Sequence, residues 1–125
     1  MGVDETYFFD SYAIYEIVIG SPGYSEYVHN IRFVTTKLNL IELHYRILRE
    51  LGRKAADTTY DELKSYIIKI SDEVIKNANE FRYKNKGKKL SYTDCIGYVL
   101  ARTRGMKFLT GDNAFKGMEG VEFVK

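Results

Sequence analysis

Short β-prone runs of hydrophobic residues alternate along the chain with longer segments in which hydrophobic residues recur at helical spacing. The run ETYFFD over residues 5–10 predicts a strand, and the apolar stretch over 11–20 predicts a helix that ends at a Gly-Ser-Pro-Gly cluster. A second short helix is predicted over residues 24–30. The sequence IRFVTT over 31–36 is rich in β-branched residues and predicts a second strand. The pattern therefore begins as strand, helix, short helix, strand.

The clearest helix is predicted over residues 37–51, with Gly52 as its natural end. Its apolar side is formed by residues at helical spacing, namely Leu40, Ile41, His44, Ile47, Leu48 and Leu51. Two more helices with polar faces are predicted within residues 58–84. Thr59 and Glu62 form a capping-box pattern that predicts the start of the first of these two.

The last third of the chain predicts one more helix and two strands. Ser91 is the expected N-cap of a helix over 91–104, and Gly105 its stop. KFLT and VEFV are the last two predicted strands, with VEFV at a sheet edge or as a late parallel addition. Strands that alternate with helices predict an α/β fold with a mainly parallel sheet, here as a single domain over residues 1–125.

Composition narrows the class of protein. Apolar residues make up 45% and charged residues 29% of 125 residues, as in globular proteins. Met1–Thr6 lacks the layout of a signal peptide and no run is long enough to span a bilayer, so a cytoplasmic protein without membrane contact is expected. The single Cys95 excludes an intrachain disulfide. The lack of Gln and Trp beside abundant Lys, Glu, Ile and Tyr is a bias also found in thermophiles.

Four acidic residues are predicted to meet at one edge of the sheet. Asp10 and Asp112 each follow a strand, Glu42 lies early in the helix after a strand, and Asp94 opens the helix before one. Helices that connect parallel strands run antiparallel to them, so their N-termini lie where the strands end. This is the edge at which open α/β sheets bind ligands.

Each acid also has an ordinary structural explanation. Asp10 can be a helix N-cap, and Glu42 can pair with Arg46 one turn later. Asp94 completes a capping box, and Asp112 suits a tight turn. One shared site explains the common location of all four better than four separate structural roles.

Carboxylates that meet at one edge repel each other and attract hard cations. A close pair at 4 Å costs roughly 4 kcal/mol at an effective dielectric constant of about 20. Divalent ions relieve this repulsion, and oxygen-only ligands favour Mg²⁺ or Mn²⁺ over zinc. Such a site suits metal-dependent hydrolysis of phosphodiesters.

Three segments match a known family in order and spacing: FFDSY at 8–12, TTKLNLIELHYRI at 35–47 and LSYTDCIGYVLARTRGMKFLTGD at 90–112. Through them the chain resembles the PIN-domain nucleases, and most closely the VapC-type toxins. The resemblance implies a three-layer α/β/α fold. It also implies catalytic and metal-binding roles for four acids, supported by two hydroxyl residues: Asp10, Glu42, Asp94 and Asp112, with Ser11 and Thr110.

The activity implied by the resemblance is that of an endoribonuclease using one or two Mg²⁺ or Mn²⁺ ions. RNA is the implied substrate, a homodimer the implied assembly, and a small antitoxin that covers the acidic groove the implied partner. Two positions depart from the family pattern. Cys95 replaces a common Ala, which is also small, whereas Ala114 stands where many members carry a further acid, so a second metal site is weakened.

Cations must hold RNA phosphates beside an acidic pocket. The candidates are Lys86, Lys88 and Lys89 of the basic run RYKNKGKK, together with Lys116. A solvated surface loop is the alternative explanation of that run, and the net charge of +2 gives no broad signature of nucleic-acid binding. Neither histidine is assigned to catalysis, because His44 is expected in the core with a partner and His29 on a surface loop.

Three other functions fit parts of the sequence. The protein could be a PIN-domain nuclease that acts in RNA processing or on structured DNA, outside toxin–antitoxin pairs. It could be a non-catalytic interaction module with the same fold. A phosphatase with an aspartyl nucleophile at Asp10 fits least, because such enzymes use Asp-x-Asp where this chain has Asp10-Ser11-Tyr12.

Overall fold

A computed structural model describes residues 5–125 of the chain. One parallel sheet lies at its centre, with the strand order β2-β1-β3-β4. Its strands are β1 (Thr6–Phe9), β2 (Arg32–Val34), β3 (Lys107–Thr110) and β4 (Val121–Phe123). The predicted parallel sheet is confirmed, and the VEFV segment forms an edge strand as expected.

Five α-helices are found within residues 5–125: α1 (Ser11–Val18), α2 (Lys37–Leu51), α3 (Arg53–Leu63), α4 (Asp72–Lys84) and α5 (Tyr92–Thr103). Ile41, Leu48 and Leu51, which were expected on the apolar side of α2, are exposed, whereas Leu43 is buried. The bounds of α2 are as predicted. The helix starts where the Thr36 hydroxyl accepts a hydrogen bond from the backbone N–H of Asn39, and it ends at Gly52, whose φ is 94°. A positive φ is accessible to glycine at little steric cost, which explains the sharp end of the helix.

Two predictions about helix position were wrong. Thr59 and Glu62 lie inside α3 rather than at a helix start, because Gly52 ends α2 and its carbonyl accepts the first helical hydrogen bond of α3 from Ala56. The short helix predicted over 24–30 is a 3-10 helix over Pro22–Tyr27. Its Tyr24 and Tyr27 are both buried, and a spacing of three residues is the period of a 3-10 helix.

The two faces of the sheet carry two separate cores. Side chains alternate along a strand, so Tyr7 and Phe9 pack with α1, α2 and α3 while Phe8 packs with α4 and α5. In β3, Phe108 joins Phe8 and Leu109 joins the opposite face. The result is the predicted three-layer α/β/α arrangement.

Gly97 allows α5 to approach the sheet closely. A Cβ at this position would lie 2.9 Å from Cε1 of Phe8 and 3.3 Å from Cε1 of Phe108, two rings that stack against each other. We expect Gly97→Ala to lower the free energy of unfolding by about 1 kcal/mol, because overpacking outweighs the gain in helix propensity. Chemical denaturation measures this, with Gly87→Ala, which meets open space, as the control. An equally stable Gly97→Ala would contradict the close-packing argument.

No helix within residues 5–125 is long and apolar enough to cross a membrane. The expectation that the chain begins without a signal peptide rests largely on residues 1–4, which lie outside the described residues.

Candidate functional site

A cavity of about 230 Å³ opens at the edge of the sheet where β1 and β3 end. All four acids singled out in the sequence line it. Its full lining is Asp10, Ser11, Tyr12, Glu42, Leu43, Arg46, Asp94 and Asp112. We call this cavity the acidic pocket. The four carboxylates come from four separate segments of the chain, brought together by the parallel topology.

Asp10 is the most deeply placed of the four acids. Only 4% of the residue is exposed, and its Oδ1 accepts a hydrogen bond of 2.8 Å from the backbone N–H of Ala13, which caps α1. Burial raises the pKa of the Asp10 carboxyl to about 7, and the charges of Asp94 and Asp112 add to the rise. Hydrogen bonds from Thr110 and Ala13 oppose it. The base of the pocket is therefore a carboxyl that ionises near neutral pH.

Thr110 links the two acids that follow strands. Its buried hydroxyl donates to Asp10 and accepts a 3.0 Å hydrogen bond from the backbone N–H of Asp112. The Asp112 carboxylate in turn accepts a 3.0 Å hydrogen bond from the N–H of Ala114, closing the turn after β3. Thr110 thus sets the distance between these two parts of the pocket.

Asp94 sits at the N-terminus of α5. Its Oδ2 accepts from the backbone N–H of Ser91 at 3.0 Å, while Ser91 Oγ accepts from the N–H of Asp94 at 3.1 Å. This reciprocal pair is a complete capping box. Burial raises the pKa of the Asp94 carboxyl, the hydrogen bonds with Ser91 lower it, and the charge of Asp112 raises it further.

Glu42 is held at the mouth of the pocket by a chain of hydrogen bonds. Ser11 Oγ donates to Glu42 Oε1 at 2.9 Å, and the side-chain amide of Asn39 donates to Ser11 Oγ at 3.1 Å. Asn39 is itself fixed by the hydroxyl of Thr36, 2.6 Å from its Oδ1. Partial burial raises the pKa of the Glu42 carboxyl, and the Ser11 hydrogen bond opposes the rise.

Asn39 is a site residue that the sequence reasoning missed. It is buried, with 2% of its surface exposed, one helical turn before Glu42. The signal was present, because a polar residue at position i−3 from a candidate acid lies on the same helix face. Glu42 was also expected to pair with Arg46 if it were an ordinary surface acid, whereas its carboxylate accepts hydrogen bonds from the side chains of Ser11 and Thr93.

Three of the four acids have an ordinary structural role and also line the acidic pocket. Asp10 caps a helix, Asp94 completes a capping box and Asp112 closes a turn, yet all three face the same cavity as Glu42. Within residues 5–125, no three His, Cys, Asp or Glu side chains are already arranged to hold a metal ion. The donor set is nevertheless oxygen-only and carries concentrated negative charge, which fits Mg²⁺ or Mn²⁺.

The candidate phosphate-binding lysines lie outside the lining of the acidic pocket. Lys86 and Lys88 form a 3-10 turn after α4, with Lys86 Nζ 4.9 Å from the centre of the Tyr83 ring, and Lys89 follows at a φ of 59°. Lys116 Nζ lies 5.5 Å from the Phe123 ring centre. The pocket is instead lined by Arg46, a cation that the sequence reasoning considered only as a partner for Glu42.

Neither histidine is among the residues that line the acidic pocket. His29 is exposed, as expected. His44 Nε2 lies 2.8 Å from Asp57 Oδ1 and its ring contacts Tyr60 edge-on. His44 therefore has the predicted partner, but it is half-buried beside a surface cavity between α2 and α3 rather than in the core.

Gly111 directly follows β3, where the backbone lies close to Tyr12 and Val124. A Cβ here would overlap the Tyr12 ring and the carbonyl oxygen of Val124. We expect Gly111→Ala to destabilise the fold by about 1–3 kcal/mol and to displace Asp112. Thermal unfolding and divalent-ion binding measure the two effects. Gly23→Ala, whose Cβ would make an ordinary 3.5 Å contact with Val124, is the control, and equal behaviour of both variants would contradict the expectation.

Comparisons with known proteins agree with this architecture. A family model of the PIN domain matches residues 7–121. No curated protein sequence matches the chain significantly. Among solved structures, VapC20 of Mycobacterium tuberculosis, a toxin that cleaves the sarcin–ricin loop, has a TM-score of 0.79 at 15% identity, covering 95% of this chain and 99% of its own.

Two further structures have the same fold. VapBC2 of Rickettsia felis, bound to a fragment of its promoter DNA, gives a TM-score of 0.72 at 18% identity, covering 96% of this chain and 99% of the other. A toxin–antitoxin complex from Klebsiella pneumoniae gives 0.73 at 16% identity, covering 93% and 95%. At these identities the similarity shows a shared fold.

Proposed function

The chain belongs to the PIN domain family, and on this basis we propose that it is a metal-dependent endoribonuclease, the toxin of a toxin–antitoxin pair. The observation that carries the proposal is the convergence of Asp10, Glu42, Asp94 and Asp112 on one pocket at the carboxyl edge of the sheet. Structural packing alone does not require four carboxylates to share a cavity, and their repulsion disfavours it.

In the proposed site these four residues hold one or two Mg²⁺ or Mn²⁺ ions. A bound divalent ion would supply positive charge that stabilises the anionic transition state of phosphodiester hydrolysis. Asp10, Asp94 and Asp112 each use one carboxylate oxygen to accept a backbone hydrogen bond. Asp10 also accepts from the Thr110 hydroxyl. A carboxylate has about four lone-pair sites on its two oxygens, so each acid can keep lone pairs for the ion, and helix capping is compatible with metal binding.

The remaining residues of the site orient the acids. Thr110 fixes Asp10 relative to Asp112, and Ser11 fixes Glu42 at the mouth of the pocket. Because these hydroxyls are held by the backbone of Asp112 and the amide of Asn39, the carboxylates are positioned before substrate arrives. Pre-positioned charge costs little reorganisation during the reaction.

RNA and an antitoxin are the partners we propose, in a cytoplasmic homodimer. The fold is shared with a toxin that cleaves the sarcin–ricin loop and with a toxin–antitoxin complex, which supports both partners. On α2, Ile41, Tyr45 and Leu48 are exposed at helical spacing, an apolar stripe suited to contact with a second protein chain. Phosphate contacts from Lys86, Lys88, Lys89 and Lys116 remain predictions.

Cleavage of a labelled single-stranded RNA pool tests the activity. The purified protein is expected to cleave with Mg²⁺ or Mn²⁺ and to stop when EDTA is added. A folded protein that leaves every RNA intact would favour the interaction-module alternative. Growth arrest on expression, relieved by a small neighbouring gene, tests the toxin assignment, and cleavage without arrest would instead favour a role in RNA processing.

A further inference from the structure

Arg46 is a cation inside the acidic pocket. It lies on α2 one turn after Glu42, is half-buried, and lines the same cavity as the four acids. Its guanidinium carbon is 3.7 Å from the centre of the ring of Tyr15, a buried residue of α1. Stacking on an aromatic face holds a guanidinium in a defined orientation and leaves its in-plane N–H groups available.

The charge of Arg46 is not taken up by a carboxylate. A Glu and an Arg four residues apart on a helix ordinarily pair, but the Glu42 carboxylate here accepts from Ser11. None of the ion pairs found within residues 5–125 includes Arg46. Arg49, Arg53 and Arg102 each pair with a carboxylate, whereas Arg32, Arg82 and Arg104 share with Arg46 the absence of an ion pair in this part of the chain. Arg46 differs from those three because it lines the acidic pocket.

A phosphodiester entering this pocket needs such a group. The four acids repel the RNA backbone, and a fixed planar cation with several N–H donors can bind two phosphate oxygens at once. Because the stack on Tyr15 already restricts the side chain, less rotamer entropy is lost on binding. The lysines considered from the sequence lie outside the pocket lining, so they do not provide a cation there.

We propose that Arg46 binds a phosphate of the RNA substrate, next to the one that is cleaved, and thereby guides the strand into the pocket along the α1–α2 side. The inference rests on the proposed function, because it assigns a substrate contact of the same site. Arg46 is a substrate-binding residue in this assignment, while the four acids hold the divalent ion. The competing explanation is packing, in which the Arg46 side chain only covers Tyr15.

The test compares Arg46→Met with Arg49→Met. Both replace an α2 arginine that lies over a tyrosine ring, but Arg49 lies outside the pocket lining. Affinity for a labelled single-stranded RNA is measured by fluorescence anisotropy at several salt concentrations, and kcat and KM are measured with Mn²⁺. We expect Arg46→Met to weaken RNA binding about tenfold and to raise KM with a smaller effect on kcat. In Arg46→Met, the slope of log affinity against log salt concentration should decrease in magnitude by about one.

Arg46→Lys separates charge from packing, because it keeps the charge without the planar stack. Partial recovery of affinity in Arg46→Lys supports phosphate binding. The opposite outcome is a lower unfolding temperature for Arg46→Met together with RNA affinity equal to that of Arg49→Met. In that case Arg46 only packs against Tyr15, and the proposal is overturned. A wild-type protein that cleaves RNA with no effect of Arg46→Met overturns this inference alone. A wild-type protein that neither binds nor cleaves RNA overturns the proposed function with it.

Discussion

Asp94→Asn is expected to lower kcat/KM for RNA cleavage by about a hundredfold or more. The carboxylate is one of four that share the acidic pocket, and replacing it with a neutral amide would weaken binding of the proposed divalent ion. An ion that supplies several kcal/mol of transition-state stabilisation accounts for a loss of this size, since about 1.4 kcal/mol corresponds to tenfold in rate. Initial rates over a series of Mn²⁺ concentrations, matched between the two proteins, measure the effect.

The same variant should remain folded. The oxygen of an asparagine side chain can still accept the hydrogen bond from the N–H of Ser91, so the start of α5 is preserved. Asp72→Asn is a matched control, because Asp72 is also in the first turn of a helix but lies outside the pocket. It should cleave RNA as the wild type does. Equal activity in wild type and Asp94→Asn would indicate a contaminating ribonuclease and remove the support for the site.

Asp10 should make the metal-free protein less stable as pH rises. Its carboxyl has a pKa of about 7 when folded and 3.8 as its ordinary value, so between these values the folded state binds more protons than the unfolded state. Under this condition the free energy of unfolding falls with rising pH, by about 1.4 kcal/mol per unit for one group. The pKa values of Glu42 and Asp94 are also raised, and they act in the same direction.

Asp10→Asn is therefore expected to be more stable than the wild type at pH 8 in EDTA, by a few kcal/mol, and similar to it near pH 4. The amide removes the buried charge but keeps an oxygen that can accept from the N–H of Ala13. Urea denaturation at a series of pH values measures the difference. Mn²⁺ should stabilise the wild type above pH 7 and the variant far less.

A wild-type stability that does not fall between pH 4 and pH 7 would contradict the burial of an ionisable Asp10. Asp72→Asn is again the control, because it removes one aspartate charge from an exposed position outside the acidic pocket. Asp10→Asn is also expected to lose RNA cleavage, since Asp10 is one of the four acids of the pocket, so its effects on activity and on stability have opposite signs. A residue kept at a cost in stability is one that the function requires.

Local pattern was sufficient for most of the secondary structure. Short β-prone runs located β1 and β3. The helical spacing of apolar residues such as Leu40 and Ile47, which are both buried, located α2, because burial of one helix face imposes this period. The start of α3 was not predictable in this way. Gly52 is both the C-cap of α2 and the N-cap of α3, and Ala56 in the first turn of α3 is fully buried. The capping pattern at Thr59 predicted a different start, which was wrong.

The sequence by itself determined which acids would lie at one edge, since strand ends and helix starts in a parallel α/β fold share that edge whatever the details of packing. Only the tertiary structure decided which polar neighbours surround them. Ser11 of α1 accepts a hydrogen bond from Asn39 and donates one to Glu42. Arg46 stacks on the ring of Tyr15 instead of pairing with Glu42. Both arrangements exist because α1 packs against α2. Topology follows from periodic patterns along the chain, whereas such side-chain partners depend on contacts between segments distant in sequence.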